Sequence, residues 1–314
     1  MKTVCTIGVF DGVHLGHQFL LAKAEEEARK LGLPCLVVTF DRDPDELFLP
    51  LDRQRKLLSN FERLALLSGH AGQREVLALP FDRQTAQLTA GEFLEWLRSD
   101  FCHPQVIHVG QDFRFGAKAA GDVQLLQEWG AKQGCQVRAH SLLDDAGIPV
   151  TASRIRDCLA NGQLEEANHL LTRPHHLFGQ VVHGRGIGKG LGFPTANINS
   201  DTGVMLPAEG VYAGRVHILD DGVAKGVAKG RYDCQLSCVS SDAIPAAISV
   251  GKPLTFAGVS ATVEATLLDF NDDIYAATVV VEFLRYLRPM QAFANPTELS
   301  DQITRDVQQV RESF

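Results

Sequence analysis

His14 and His17 stand three residues apart in Gly8-Val9-Phe10-Asp11-Gly12-Val13-His14-Leu15-Gly16-His17. At the start of a helix this spacing brings two imidazoles into one space. There they can donate hydrogen bonds to a phosphate and stabilise charge developing on it. A helix N-terminus adds free N–H groups and the positive end of the helix dipole, and glycines let the backbone approach a ligand closely. Gly8 and Gly12 are therefore candidate nucleotide contacts, with Phe10 and Asp11 between them in the same candidate loop, and His14 and His17 are candidate catalytic groups. Ordinary surface histidines are the plain alternative, and metal ligation lacks an evident third ligand nearby. The segment is neither a dinucleotide fingerprint nor a Walker A loop.

A second glycine cluster, Gly184-Arg185-Gly186-Ile187-Gly188-Lys189-Gly190-Leu191-Gly192, places glycine at every second position. A strand of that pattern would have one face without side chains, a poor way to build a core. A backbone cradle for phosphate suits it better, and a plain glycine-rich hairpin is the alternative. It too fails as a Walker A loop, because Gly190 follows Lys189 where Ser or Thr is required.

The elements that must position these clusters follow two patterns. Up to about residue 170, apolar runs (Val4–Phe10, Cys35–Phe40, Glu75–Leu79, Val106–Val109, Gln136–Ala139) alternate with helical stretches at Gly16–Leu31, Arg53–Ser68, Ala90–Ser99 and Asp122–Gly134. That alternation predicts an α/β fold, a parallel sheet with helices on both faces. Short helices are expected near Ser153–Ala160 and Gln163–Leu171. After Pro174, strand-like runs succeed one another without long helices: Leu177–His183, Val211–Ile218, Ala246–Val250, Ala261–Asp269 and Thr278–Leu284. These predict an antiparallel barrel or sandwich. A terminal helix, Pro296–Arg311, is expected with Asn295 as N-cap and Pro296 at its first position. The boundary between the two patterns gives domains at residues 1–173 and 174–314.

Composition agrees with two domains of ~150 residues each in a chain of 314 residues. With 38 acidic and 30 basic residues the net charge is −8, which argues against a nucleic-acid coat or an anionic membrane surface as partner. No apolar run reaches the ~18 residues of a membrane span, and the N-terminal stretch Met1–Asp11 meets a charge too early to be a signal peptide. Seven scattered cysteines, with only Cys234 and Cys238 close together, read as reduced cytoplasmic thiols.

The motifs together carry a specific resemblance. Gly8–His17 resembles the H-x-G-H motif of nucleotidylyltransferases, and the longer G-x-F-D-G-V-H-L-G-H string resembles bacterial bifunctional riboflavin kinase/FAD synthetases. Thr39-Phe40-Asp41-Arg42-Asp43-Pro44 is similar to the family's T-F-x-x-x-P stretch, and Val109–Gly116 to its flavin-side G-x-D-F-x-F-G stretch. Val150-Thr151-Ala152-Ser153-Arg154-Ile155-Arg156 resembles I-S-S-T-x-x-R, with Ala152 in place of a motif serine. Gly192-Phe193-Pro194-Thr195-Ala196-Asn197 resembles the riboflavin kinase signature, and Val263–Phe270 places Glu264 before an L-L-D-F stretch. The matches run in family order from residue 2 to 314, with two further departures: Gly251–Phe256 displaces a loop proline, and Ala276 replaces a glycine.

The resemblance implies a nucleotidylyltransferase-type sheet and a kinase barrel. It implies ATP, riboflavin, FMN and FAD as substrates or products, Mg²⁺ as cofactor, and a cytoplasmic enzyme acting on small molecules without nucleic-acid or membrane partners; it makes no statement of oligomeric state. His14, His17, Arg156 and Glu264 would be catalytic. ATP contacts would include Ser153 and Arg154, which open a predicted helix, and Gly186, Gly188, Gly192 and Pro194. Thr195 and Asn197 would hold the metal, since hard Mg²⁺ prefers oxygen. Asp112, Phe113 and Phe115 would meet the flavin, the two rings packing either on it or in the core. Two other readings stay open at this point: one active half, most readily the transferase given the altered loop, or a flavin-binding protein without turnover.

Overall fold

The structure, a computed structural model, describes residues 2–50, 53, 55–68, 74–183, 195–200, 203–219, 243–251 and 262–314. Two compact units divide the chain at Met1–Ala152 and Ser153–Phe314.

The first unit runs β1 (Lys2–Ile7), α1 (Leu15–Leu31), β2 (Cys35–Phe40), a short α2 (Asp45–Phe48), α3 (Asn60–Ser68), β3 (Glu75–Leu79), α4 (Ala90–Trp96), β4 (His103–Gly110), α5 (Val123–Gln133) and β5 (Gln136–His140), followed by a two-residue-per-arm hairpin, β6 (Asp144–Asp145) and β7 (Ile148–Pro149). Its five-stranded sheet has the order β3-β2-β1-β4-β5, and every pairing is parallel. Strand side chains alternate between two cores. Cys5, Ile7, Leu36, Val38, Ile107 and Val109 pack on one face with Phe93 and Leu94 of α4 and Leu126 of α5. On the other, Val4, Cys35 and Val106 meet Ala24 and Ala28 of α1, while Val37 meets Leu20 and Leu21 of α1 and Leu67 of α3. Helices on both faces are what an all-parallel sheet needs, because neither face can be left to water.

One helix is shorter than its sequence pattern. The expected Arg53–Ser68 helix begins only at Asn60. Ser59 and Glu62 form a reciprocal capping pair, the Ser59 hydroxyl accepting from Glu62 N–H at 3.3 Å and the Glu62 carboxylate from Ser59 N–H at 2.9 Å. Just upstream, the Asp11 carboxylate accepts the Leu57 N–H at 2.9 and 3.1 Å, so that backbone is used in a loop contact instead of a helix.

The second unit continues with α6 (Ala152–Ala160, starting at the boundary), α7 (Leu164–Leu171), β8 (His175–Val182), β9 (Thr195–Asn199), β10 (Gly210–Ile218), β11 (Ile244–Gly251), β12 (Thr262–Leu267), β13 (Thr278–Arg288) and α8 (Pro296–Arg311). Its six strands close a barrel in the order β10-β11-β12-β9-β8-β13. The pairings are antiparallel throughout. Tyr212, Ile248, Ala265, Val279, Val281 and Phe283 are fully enclosed and fill the interior. At Gly214 the wall closes so tightly that a Cβ would collide with the Glu282 carbonyl and Ile248. The terminal helix has the expected cap, with Asn295 Oδ1 accepting from Glu298 N–H at 3.0 Å. It packs Val310 on Ala213, Ala247 and Leu268, and its Asp306 takes a two-pronged ion pair from Arg288 at 2.8 and 2.6 Å.

Candidate functional site

In the first unit the three motif segments all leave the carboxyl ends of parallel strands: Gly8–His14 after β1, Thr39–Asp43 at the end of β2, and Gly110–Phe115 at the end of β4. That edge is where open α/β sheets bind ligands. The loop after β1 has an unusual backbone. Phe10, Gly12 and Val13 have φ of 59°, 77° and 40°, a region that disfavours non-glycine residues. Packing holds it there. Phe10 and Val13 are 2% and 4% exposed and sit among Leu20, Leu21, Val37, Leu58 and Leu67.

His14 is the N-cap of α1, its Nδ1 accepting from His17 N–H at 3.4 Å. With Nδ1 as acceptor, the neutral ring carries its proton on Nε2, a donor suited to an anion. The His14 and His17 rings stack with centroids 3.7 Å apart, and Phe10 meets His17 edge-on at 5.2 Å. The expectation that both imidazoles share one space is met. Among the described residues no group of three or more His, Cys, Asp or Glu gathers to hold a metal. Gly16 separates the pair for a steric reason: a Cβ there would lie 3.2 Å from both His14 Cε1 and the Val150 carbonyl oxygen.

A residue the sequence gave no reason to choose ties these loops together. Arg63 of α3 is almost fully buried. Its guanidinium donates to Val9 O at 3.0 Å, Thr39 Oγ1 at 2.7 Å and Phe40 O at 2.7 Å, and Thr39 in turn donates to Val9 O at 3.2 Å. Burial pushes the Arg63 pKa down, against the pull of Asp43, Asp11, Glu46 and Asp41. At the β4 end, Asp112 is exposed and Phe113 is half-buried. Phe115 is 7% exposed, belongs to the core beside Phe93, and stacks on Phe113 at 5.4 Å.

Ser153, Arg154 and Arg156 belong to α6, in the second unit. Ser153 is the second residue of that helix. Arg154 pairs with Glu166 of α7, Nε at 3.2 Å and Nη2 at 2.8 Å from Oε1.

In the barrel, Thr195 and Asn197 sit on β9, a strand the sequence did not announce. Asn197 lies directly opposite Glu264 of β12, and Thr195 opposite Thr266. Val263 and Ala265, on either side of Glu264, are buried in the interior, so Thr195, Asn197 and Glu264 share the outer face. On its other side Glu264 is paired with Ser249 of β11, a polar neighbour the sequence analysis missed. Gly186, Gly188, Gly192 and Pro194 lie outside the described residues, as do Lys252–Phe256 of the altered loop and Cys234 and Cys238. Ala276 has φ 60°, which explains why a glycine suits that position. Beside it, the Tyr275 and His183 rings meet with centroids 3.7 Å apart, tilted by 32°.

Comparison with known proteins matches the two units to two families. Residues 1–154 match the FAD synthetase family model and residues 171–314 the riboflavin kinase model. The chain is 36% identical over 311 residues to the bifunctional riboflavin kinase/FMN adenylyltransferase of Escherichia coli K12, covering 99% of this chain and 92% of that protein. It is 35% identical to the protein of that name from Pseudomonas fluorescens, covering 98% and 92%. A Streptococcus pneumoniae crystal structure described as a macrolide-efflux protein superposes with a TM-score of 0.80 at 30% identity, covering 99% and 94%. Among the described residues no helix is long and apolar enough to cross a membrane.

Proposed function

The chain belongs to the bifunctional riboflavin kinase/FMN adenylyltransferase family, and from that premise we propose how its residues divide the work. The enzyme phosphorylates riboflavin with ATP to give FMN and ADP, then transfers an adenylyl group from a second ATP to FMN, giving FAD and pyrophosphate. Residues 174–314 carry the first reaction and residues 1–173 the second, in the cytoplasm and without nucleic-acid or membrane partners. Family models at 1–154 and 171–314 support a boundary between them.

The kinase assignment rests on one observation: Asn197 and Glu264 are direct cross-strand neighbours on one barrel face, with Thr195 on the same strand face. Glu264 accepts the proton of the primary ribityl hydroxyl or orients that hydroxyl for attack, the part a carboxylate plays in phosphoryl transfer. Thr195 and Asn197 offer the neutral oxygens a hard cation accepts alongside phosphate oxygens, and would hold Mg²⁺. When bound, the ion neutralises charge on the transferred phosphoryl group.

In the transferase, His14 and His17 donate to the phosphates of ATP from the head of α1, whose dipole points the same way. Arg156 adds positive charge. Backbone of Gly8–Gly12 lines the approach, and Asp112, Phe113 and Phe115 form the flavin side. The attacking group is an FMN phosphate oxygen, already anionic, so positioning and charge stabilisation supply the catalysis and no general base is needed. The test is chromatography of flavins after incubating the protein with riboflavin, ATP and Mg²⁺. FMN should appear first and FAD later, and both should vanish when EDTA replaces Mg²⁺. Persistence of FMN formation in EDTA would refute the metal assignment.

A further inference from the structure

The barrel register gives Glu264 a neighbour on each side, Asn197 of β9 and Ser249 of β11. Directly opposed residues in an antiparallel pair hold their Cβ atoms about 4.5–5.5 Å apart, so one small ligand can touch all three. Ser249 is half-buried, and the residues flanking it, Ile248 and Val250, are 0% and 1% exposed inside the barrel. Its hydroxyl therefore lies on the Glu264 face. Among the described residues, neither the Ser249 hydroxyl nor the Glu264 carboxylate is engaged by another side chain.

The order of groups across the strands has a mechanistic consequence, which rests on the reading of Thr195, Asn197 and Glu264 given above. Phosphoryl transfer places the attacking and leaving oxygens roughly in line, on opposite sides of the phosphorus. With the nucleotide phosphates on the β9 side, the alcohol must come from the far side of Glu264. That side is β11, and its polar group next to Glu264 is Ser249. We propose that Ser249 is an acceptor-side substrate contact: its hydroxyl hydrogen-bonds the ribityl chain beside the hydroxyl being phosphorylated and holds that chain against Glu264. A serine hydroxyl both donates and accepts, which matches a polyol; it carries no charge for a phosphate.

The experiment is steady-state kinase kinetics on the full-length chain, with riboflavin and Mg-ATP varied separately. Loss of one neutral hydrogen bond is worth roughly a 3–10-fold change. Ser249→Ala should raise the riboflavin KM by about that factor with the ATP KM within about twofold of wild type, and Ser249→Thr should recover most of the loss. Asn197→Ala should show the opposite split. Ser249→Cys, which keeps the volume and loses the strong hydrogen bond, gives the same readout if the alanine variant folds poorly. A Ser249→Ala enzyme with unchanged riboflavin KM, or with both KM values raised equally, overturns the inference. Glu264→Gln separates the two levels. If it keeps wild-type turnover, the reading of the whole face fails. If it loses turnover while Ser249→Ala and Ser249→Cys leave the riboflavin KM unchanged, only the role of Ser249 fails.

Discussion

Gly16→Ala tests the transferase site through a single methyl group. The added Cβ would lie 3.2 Å from His14 Cε1 and 3.2 Å from the Val150 carbonyl oxygen, so one of them must retreat by a few tenths of an ångström. Val150 is held by its own N–H, which donates to Leu143 O at 2.8 Å. His14 is the softer neighbour, although stacking on His17 and its cap hydrogen bond both resist. Two energies oppose each other. Alanine in a helix is favoured over glycine by up to about 1 kcal/mol, and overpacking costs about 1–3 kcal/mol. The net stability change should lie between none and a loss of about 3 kcal/mol, by subtraction of those ranges. Catalysis should suffer more. If a 1 Å misplacement costs about 10²-fold, a few tenths of an ångström cost roughly 4–10-fold. The assay is the initial rate of FAD formation from supplied FMN and Mg-ATP, with riboflavin phosphorylation by the same sample as the internal control. A 4–10-fold fall in kcat for FAD formation, with FMN formation retained, is expected. A variant within twofold of wild type would refute the idea that Gly16 is small so that His14 can keep its place.

Ala276 sits at φ 60°, where an L-residue pays about 1–2 kcal/mol and glycine does not; after the entropy cost of glycine, Ala276→Gly should stabilise the barrel by about 0.5–1 kcal/mol, seen as a higher Tm, and a lower Tm would contradict it. Arg63→Met should destabilise the first unit by about 2–4 kcal/mol, because the Val9 and Phe40 carbonyls and the Thr39 hydroxyl lose a buried charged donor; thermal unfolding checks this, and a neutral substitution would refute the bracing role. On the α1 face of the sheet, His108 Nδ1 and His140 Nε2 are 2.9 Å apart and His108 Nε2 is 2.9 Å from Glu27, with Lys23 and Arg138 nearby. Burial lowers both histidine pKa values, with Glu27 pulling upward and the neighbouring cations downward. The folded protein therefore binds fewer protons than the unfolded chain below the ordinary histidine value of about 6.5, so this contribution is present above that pH and is lost as pH falls through the depressed pKa values. A Tm that declines below pH 6.5 in wild type and declines less in His108→Gln is expected; identical pH profiles would contradict the assignment.

How much could be read from the sequence depended on whether a residue's role was local. Glycines, the His-x-Gly-His spacing and strand–helix alternation are local signals, and they placed the sheet, the head of α1 and the barrel with its capped terminal helix. Ser59 and Glu62 were a legible capping pair, although the Arg-Gln-Arg-Lys-Leu-Leu run before them consists of helix-forming residues. Strand β9 reads Thr-Ala-Asn-Ile-Asn, poor in strand-forming residues, and is held by its partners on both sides. Arg63 could not be found from spacing, because its acceptors, the Val9 carbonyl in the loop after β1 and the Thr39 hydroxyl and Phe40 carbonyl of β2, are brought together only by the fold. The same holds for Ser249: its relation to Glu264 is a matter of register between strands. Phe115 could be core or flavin contact from alternation alone, and its burial beside Phe93 shows that at least part of its role is packing.

The division of labour between the two halves is tested most directly by flavin chromatography on two variants, each given riboflavin and, separately, FMN, with Mg-ATP. Glu264→Ala should form no FMN from riboflavin yet convert supplied FMN to FAD at the wild-type rate. The His14→Ala/His17→Ala double variant should accumulate FMN and make no FAD. Loss of FAD formation from supplied FMN in Glu264→Ala, loss of FMN formation from riboflavin in the histidine variant, or FMN formation that survives Glu264→Ala, would contradict the account.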